Sequence, residues 1–305
     1  MALIYSEVSK NNRKTWILMT LVFAVLISFG WFLSWFYNSK AILIVAVIFS
    51  IFLNVLSYWH SDKIVLALAG AKPIEKKDNP ELFRLIENLT IAAGLPMPKI
   101  YVTPDLAPNA FATGRDKNHS AIAITKGLLK IMDKEELEGV LAHELSHIGN
   151  KDTLISTVVV VIVGLISLLA DFFLRLSFWG GGRRSDDRES SSQLTFLIGI
   201  LGAILAPLAA SLIQLAISRR RESLADASAA LLTRYPEGLA RALEKIAKTP
   251  YSINRPLSAT AHLWISNPFK ADRISAEKKT PFLVKIFMTH PPIEERIKAL
   301  REMSI

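Results

Sequence analysis

Four long apolar stretches dominate the pattern of hydrophobic and polar positions along this chain. They cover residues 16–37, 41–59, 154–179 and 194–217. The first two contain no charged residue, whereas Asp171 and Arg175 interrupt the third and Pro207 lies in the fourth. As a helix, each is long enough to cross a hydrocarbon layer of about 30 Å. The pattern predicts four transmembrane helices, with Asp171 and Arg175 paired one turn apart within the third.

The charges beside these stretches predict their orientation. Lys10, Arg13 and Lys14 precede the first stretch, which is too long for a signal peptide, lacks a small-residue cleavage site and is followed at once by a second span. We therefore expect it to be retained as an anchor. Arginines at 219–221 follow the fourth stretch. By the positive-inside rule, both termini and the polar segments 60–153 and 218–305 lie in the cytoplasm.

The polar segments show a mixed α and β pattern, with helices in the majority. Capping and turn signals predict helices at 79–93, 133–147, 218–232, 237–247 and 293–303. Short apolar runs predict strands at 99–102, 109–113 and 121–125, the last two joined by a turn-rich link at 114–118. The fold class expected is α+β, mostly α, with a small β-sheet.

Composition excludes several classes of protein. The formal net charge is +9, but the basic residues form no concentrated stripe interleaved with aromatic residues, so a nucleic-acid partner is not expected. Loops beside membrane spans explain the charge more simply. The chain has no cysteine, which excludes disulfides and thiolate ligands, so any metal must be held by His, Asp or Glu.

One short motif carries most of the chemical information. His143 and His147 stand four residues apart, with Glu144 between them, on the helix that Asp133 and Glu136 open as a capping box. Residues i and i+4 lie on one helical face, so both imidazoles can reach a single metal ion. Glu144 points about 100° away, which suits a general base acting on water better than a third ligand. The motif indicates a zinc hydrolase.

The third ligand is less determined by the sequence. Glu222 and Asp226 are four residues apart on a predicted helix, so Glu222 could ligate while Asp226 holds the second nitrogen of a ligating histidine. Alternatively, both acids pair with the neighbouring arginines on a solvated helix. The spacing favours neither reading over the other.

Motifs spread over nearly the whole chain resemble those of the HtpX family of membrane zinc metalloproteases, relatives of Ste24. They are HELSHI at 143–148, SRRRE at 218–222 with Asp226, NAFATG at 109–114 and THPP at 289–292. The resemblance implies that His143, His147 and Glu222 bind one zinc ion (Zn2+), that Glu144 is the catalytic base and that Asp226 supports a ligand.

The resemblance also implies an architecture and a substrate site. It indicates four transmembrane helices plus a cytoplasmic zincin-type domain, divided as 1–59, 60–153, 154–217 and 218–305, in a multi-pass protein of the plasma membrane. The strand containing Asn109, Ala110, Phe111, Ala112 and Thr113 would lie at the rim of the cleft, where an extended substrate can pair with its backbone. An ordinary edge strand is the alternative.

Two residues near the C-terminus are candidates for stabilising charge in the reaction. His290 could donate a hydrogen bond to the developing oxyanion, with Arg296 assisting. Alternatively, the prolines at 291–292 simply begin the last helix.

The expected function is cleavage of misfolded or damaged membrane proteins at the bilayer, with protein substrates and lipid as the partners. The sequence indicates no oligomeric state. An intramembrane protease is disfavoured because charged residues precede the motif, and a prenyl-protein protease because more than four spans would be expected. A non-enzymatic membrane protein is disfavoured by the intact set of His143, Glu144, His147 and Glu222.

Overall fold

The computed structural model describes residues 2–180, 219–251, 253, 260–266 and 292–303. In chain order the helices are α1 (Ala2–Phe36), α2 (Lys40–Trp59), α3 (Ser61–Leu68), α4 (Pro80–Ala93), α5 (Lys126–Ile131), α6 (Lys134–Gly149), α7 (Asp152–Gly180), α8 (Arg219–Thr233), α9 (Pro236–Lys248) and α10 (Ile293–Arg301). The strands are β1 (Lys72–Pro73), β2 (Lys99–Thr103), β3 (Ala110–Asp116) and β4 (His119–Thr125). The mostly helical α+β class is confirmed.

Two helices near the N-terminus have the length and composition to cross a membrane. They are Asn11–Phe36, which is part of α1, and Lys40–Trp59, and most of their side-chain surface faces outward. The basic residues before the first span were expected in a polar tail, but α1 is helical from Ala2 onward. Trp16 stacks on Tyr58 with ring centroids 6.0 Å apart, which joins the N-terminal part of the first candidate span to the C-terminal end of the second.

The predicted third span begins inside the protein. α7 follows α6 after a bend of 85°, and Lys134–Gly149 and Asp152–Ile166 together have the length and composition of a span. Val158 and Val159 are fully buried, and the hydroxyl of Thr157 lies 3.0 Å from that of Thr113 on β3. The first turns of α7 therefore pack on the sheet. The predicted fourth span, and the side chains of Asp171 and Arg175, lie outside the described residues.

The sheet has the order β1-β2-β4-β3, with β2 and β4 parallel and the other pairs antiparallel. Both faces are buried. Ile122 and Ile124 of β4 pack in a core with α4 and α6, whereas Ala121 and Ala123 face the apolar residues of α7. Successive side chains of a strand point to opposite faces of the sheet. The isoleucines of β4 therefore lie in one core and its alanines in the other.

β3 and β4 form a tighter hairpin than the sequence predicts. The link was expected at 114–118, but β3 continues to Asp116 and leaves a turn of only Lys117 and Asn118. A register shift between Gly114 and Asp116 allows this extension. Gly114 has a φ of 138°, and a Cβ there would lie 2.3 Å from the carbonyl oxygen of His119. The sequence predicts too short a strand because Gly114 is taken for a turn residue, although here it lies within β3.

α6 forms as its sequence predicts. Asp133 accepts a hydrogen bond from the amide of Glu136, whose carboxylate in turn accepts one from the amide of Asp133, which completes the capping box. Gly139 lets the backbone of α9 approach closely, because a Cβ there would lie 2.6 Å from the amide nitrogen of Leu239. The helix ends at Gly149 with Asn150 as its cap, two residues beyond the predicted range of 133–147.

Candidate metal centre

Three predicted ligands meet at one point between α6 and α8. The Nε2 atoms of His143 and His147 are 3.1 Å apart. The carboxylate of Glu222 lies 3.7 Å from the first and 3.5 Å from the second. One ligand atom from each residue falls within 4.8 Å of the other two. This is the cluster expected of a metal site, and it is largely shielded from solvent.

Local structure explains the convergence. Positions 143 and 147 share a face of α6 because they are one turn apart. α8 presents its small side chains Ala225, Ala229 and Ala230, all fully buried, to the same core. Short side chains let two helices approach closely, which brings the carboxylate of Glu222 within reach of both imidazoles.

The outer nitrogens of both histidines contact carboxylates. Nδ1 of His143 lies 2.9 Å from Asp226, and Nδ1 of His147 lies 3.1 Å from Asp152. A carboxylate that accepts the Nδ1 proton leaves the Nε2 lone pair free to bind a metal. Two nitrogens bound tetrahedrally to zinc lie about 3.3 Å apart, close to the observed separation. The set of two imidazoles and one carboxylate is therefore one that could hold a zinc ion.

The electrostatics of the two histidines differ. Burial lowers the pKa of His143, which favours its neutral form. Burial also acts against the charged form of His147, but the hydrogen bond to Asp152 and the charge of Glu222 raise its pKa to about 9. Since metal ions bind the neutral imidazole, a cation in this site would displace the proton that His147 otherwise holds.

Glu144 lies beside the cluster rather than within it. Its side chain is almost fully buried, and burial raises the pKa of its carboxyl to about 7. The charge of His147 and the backbone amide of Ala112 oppose that shift. A carboxyl group with a pKa near neutrality can both accept and release a proton at physiological pH.

Arg296 contacts Asp226, the carboxylate next to His143. Its Nε and Nη2 atoms donate to the two oxygens of Asp226 at 2.9 and 2.7 Å, and Nη1 donates to the carbonyl of Ile265. Burial raises the pKa of Asp226, but the guanidinium outweighs it and lowers that pKa to about 2. Arg296 thus holds the carboxylate that contacts His143. Its assistance to an oxyanion stays a prediction.

The predicted substrate strand is β3, apart from Asn109, which precedes it. Among the residues that the structure describes, β3 pairs with β4 alone and forms an edge of the sheet. Phe111 and Thr113 are buried, and the carbonyl of Ala110 accepts from the amide of Ile265. The side-chain amide of Asn109 donates to the carbonyl of Ser266, and its oxygen accepts from the amide of Ser266. The edge is therefore covered at its start, and the backbone amide of Ala112 donates to the carboxylate of Glu144. A role in substrate binding stays a prediction.

Two residues of the predicted site need separate mention, because one was missed by the sequence analysis and the other lies outside the described residues. Asp152, the partner of His147, was not predicted, although an acid five residues after the second histidine is a signal that could have found it. His290, the predicted oxyanion donor, lies outside the described residues.

Comparison with known proteins assigns the chain to a family. The model of peptidase family M48 matches residues 76–304. The chain belongs to this family. As an M48 peptidase it is a metalloprotease, and its substrates are proteins. The matched region contains the three metal-site residues, Glu144 and the two supporting carboxylates.

Full-length relatives support the same assignment. A protease HtpX homolog of Caldanaerobacter subterraneus is 44% identical over 305 residues, covering 99% of this chain and 98% of that protein. Another, from Thermoanaerobacter pseudethanolicus, is 43% identical over the same length. The crystal structure of S. mikatae Ste24p aligns with a TM-score of 0.51 at 20% identity, over 98% of this chain and 67% of that one. This likeness concerns the fold alone.

Proposed function

We propose that this M48 peptidase is a zinc-dependent endopeptidase of the cell membrane that cleaves misfolded or damaged membrane proteins. The observation that carries the proposal is the convergence of His143, His147 and Glu222, with Glu144 buried beside them. In this assignment the three residues hold zinc, Glu144 is the general base, and Asp226 orients His143.

The residues of the chain divide the reaction between them. A zinc ion in this site would supply Lewis acidity, which lowers the pKa of water and polarises a peptide carbonyl. The carboxylate of Glu144 takes a proton as the water oxygen bonds to the carbonyl carbon. Glu144 then delivers this proton to the amide nitrogen as the C–N bond breaks. Asp226 and Asp152 keep the imidazoles in the tautomer that directs Nε2 inward.

Substrate would lie along the free part of the β3 edge. An extended peptide can add to a sheet edge through backbone hydrogen bonds, which makes recognition tolerant of sequence. The predicted rim is Asn109, Ala110, Phe111, Ala112 and Thr113. Asn109 and Ala110 bond the 260–266 segment, so substrate would pair beyond them, where the backbone of Ala112 contacts Glu144. His290 would donate to the oxyanion, and Arg296 would assist through its charge from behind the ligands.

The location proposed is the plasma membrane, with α1 and α2 as anchors and two further spans within 154–217. The parts 60–153 and 218–305 form one catalytic domain on the cytoplasmic side, with both termini there as well. Support comes from the two apolar helices and from the basic residues beside them. A site at the membrane surface suits unfolded segments that emerge from the bilayer, which is the basis for proposing a role in quality control under stress.

Metal and activity are tested together on the purified full chain in detergent. A casein-like unfolded protein should be cleaved, a zinc chelator should stop cleavage, and added zinc should restore it. Glu222→Ala should lose bound zinc, whereas Glu237→Ala, which removes an acid paired with Arg301 outside the cluster, should keep it. Full zinc occupancy in Glu222→Ala would move the third ligand to another residue.

A further inference from the structure

Asn11, on α1, contacts Asp152, the carboxylate that holds His147 of the candidate metal site. Its side chain is only 2% exposed. Its Nδ2 atom lies 2.6 Å from Oδ1 of Asp152 and 3.4 Å from the carbonyl oxygen of Asn150. The other oxygen of Asp152 is the one that contacts Nδ1 of His147. A single chain of hydrogen bonds thus runs from α1 to a metal-site histidine.

The chemistry of these contacts fixes their direction. A carboxylate and a carbonyl both accept only, so the amide nitrogen of Asn11, with two protons, is the one group of that side chain that can serve both. Asp152 is 4% exposed, and a buried carboxylate needs donors to remain charged. Asn11 satisfies one of its oxygens, which leaves the other to hold His147.

The backbone at this junction also needs support. Lys151 adopts a φ of 56°, in the left-handed region, and the chain bends by 85° between α6 and α7. The bend brings Asp152, the first residue of α7, back over the end of α6 beside His147. Asn11 bridges the bend, because it donates to the carbonyl of Asn150, the cap of α6, and to the carboxylate of Asp152, the first residue of α7.

We propose that Asn11 is a positioning residue for the metal site and that it acts through Asp152 on the orientation of His147. Zinc affinity then depends on how α1 packs against the junction of α6 and α7. The proposal rests on the proposed zinc site. It adds that the site is completed by a part of the chain that lies outside the residues matched by the family model.

The test is zinc affinity of the full chain, measured by competition with a chromophoric chelator. Asn11→Leu keeps the volume and removes both hydrogen bonds. It should weaken zinc binding about tenfold, near the lower end of the range for outer partners of metal ligands. Asp152→Ala should weaken it by about 10–100-fold. The visible spectrum of the cobalt-loaded protein should change in both variants, because it reports ligand geometry.

The matched control is Thr15→Val. Thr15 is buried to the same degree on the same helix, and its hydroxyl donates to the backbone carbonyl of Asn11 rather than to the metal site. Its zinc affinity should equal that of the parent chain. If Asn11→Leu does not fold without metal, Asn11→Ser replaces it, since serine is too short to reach both acceptors.

A double-mutant cycle tests the route. If Asn11 acts through Asp152, the combined variant should bind zinc no more weakly than Asp152→Ala alone. Additive losses, or parental affinity in Asn11→Leu, would overturn the inference. His147→Ala separates this outcome from failure of the zinc site itself. If His147→Ala loses zinc while Asn11→Leu does not, the positioning role alone is wrong; if His147→Ala keeps zinc, the site is wrong.

Discussion

Replacing Arg296 by methionine should be among the most destabilising single changes in the part of the chain that packs around the candidate metal site. Its guanidinium is 3% exposed and binds both oxygens of Asp226, with a further bond to the carbonyl of Ile265. Methionine fills much of the space but leaves the buried carboxylate without its main partner. Breaking a buried ion pair from one side costs about 3–5 kcal/mol.

The depressed pKa of Asp226 gives a second, lower figure for the stabilisation of its carboxylate, to which Arg296 contributes most and His143 also contributes. Its ordinary value is 3.8 and its value in the fold is about 2, a difference worth about 2 kcal/mol. Because the folded pKa is depressed, this stabilisation is present above pH 3.8 and is lost as the pH falls toward 2. The gap between parent and Arg296→Met should therefore be widest near neutral pH and should shrink in acid.

The assay is denaturant unfolding of the metal-free protein in detergent, so that zinc does not contribute to the free energy. Arg301→Met is the matched control. Arg301 lies on the same helix and pairs with Glu237 and Glu244, but it is 44% exposed, so its loss should have little effect. A loss of stability in Arg296→Met no larger than in Arg301→Met would refute the reasoning.

Three further variants test the placement of the site. Asp133→Ala should lower the free energy of unfolding by about 1 kcal/mol at neutral pH through loss of the α6 cap. Although burial opposes it, hydrogen bonding from Glu136 and nearby cations lower the pKa of Asp133, so the difference should vanish as acid protonates it below pH 3.8. Gly139→Ala, normally favourable in a helix, should destabilise, because the new methyl meets the backbone at Leu239; an unchanged melting temperature would contradict that packing. Asn109→Ala should cost about 1–3 kcal/mol through its lost bonds to Ser266, and protease cleavage of the 260–266 segment should increase.

Local signals were sufficient for the catalytic helix. Asp133 and Glu136 define its start, and the spacing of the two histidines indicates its chemistry. These signals act within one or two turns, so a sequence displays them directly. Glu222 could be named as a candidate from spacing, but only the packing of α8 against α6 distinguishes a ligand from a solvated acid.

The supports of the site were harder to predict because they depend on distant contacts. Asp152 reaches His147 only because Lys151 turns the chain, and Asn11 reaches Asp152 across 141 positions. Asn11 lies in the polar run 10–14 before the apolar part of α1, and nothing in that run indicates such a partner. Similarly, the first turns of α7 read as a span because a fully buried helix and a lipid-facing one have the same composition.

The central claim is that this chain hydrolyses peptides with Glu144 as the base beside a zinc site. The most direct test is cleavage of an unfolded protein by zinc-loaded Glu144→Gln, a change that keeps the size of the side chain and removes the proton acceptor. The account predicts that cleavage is abolished while bound zinc stays at the level of the parent chain. Continued cleavage at the parental rate would contradict it.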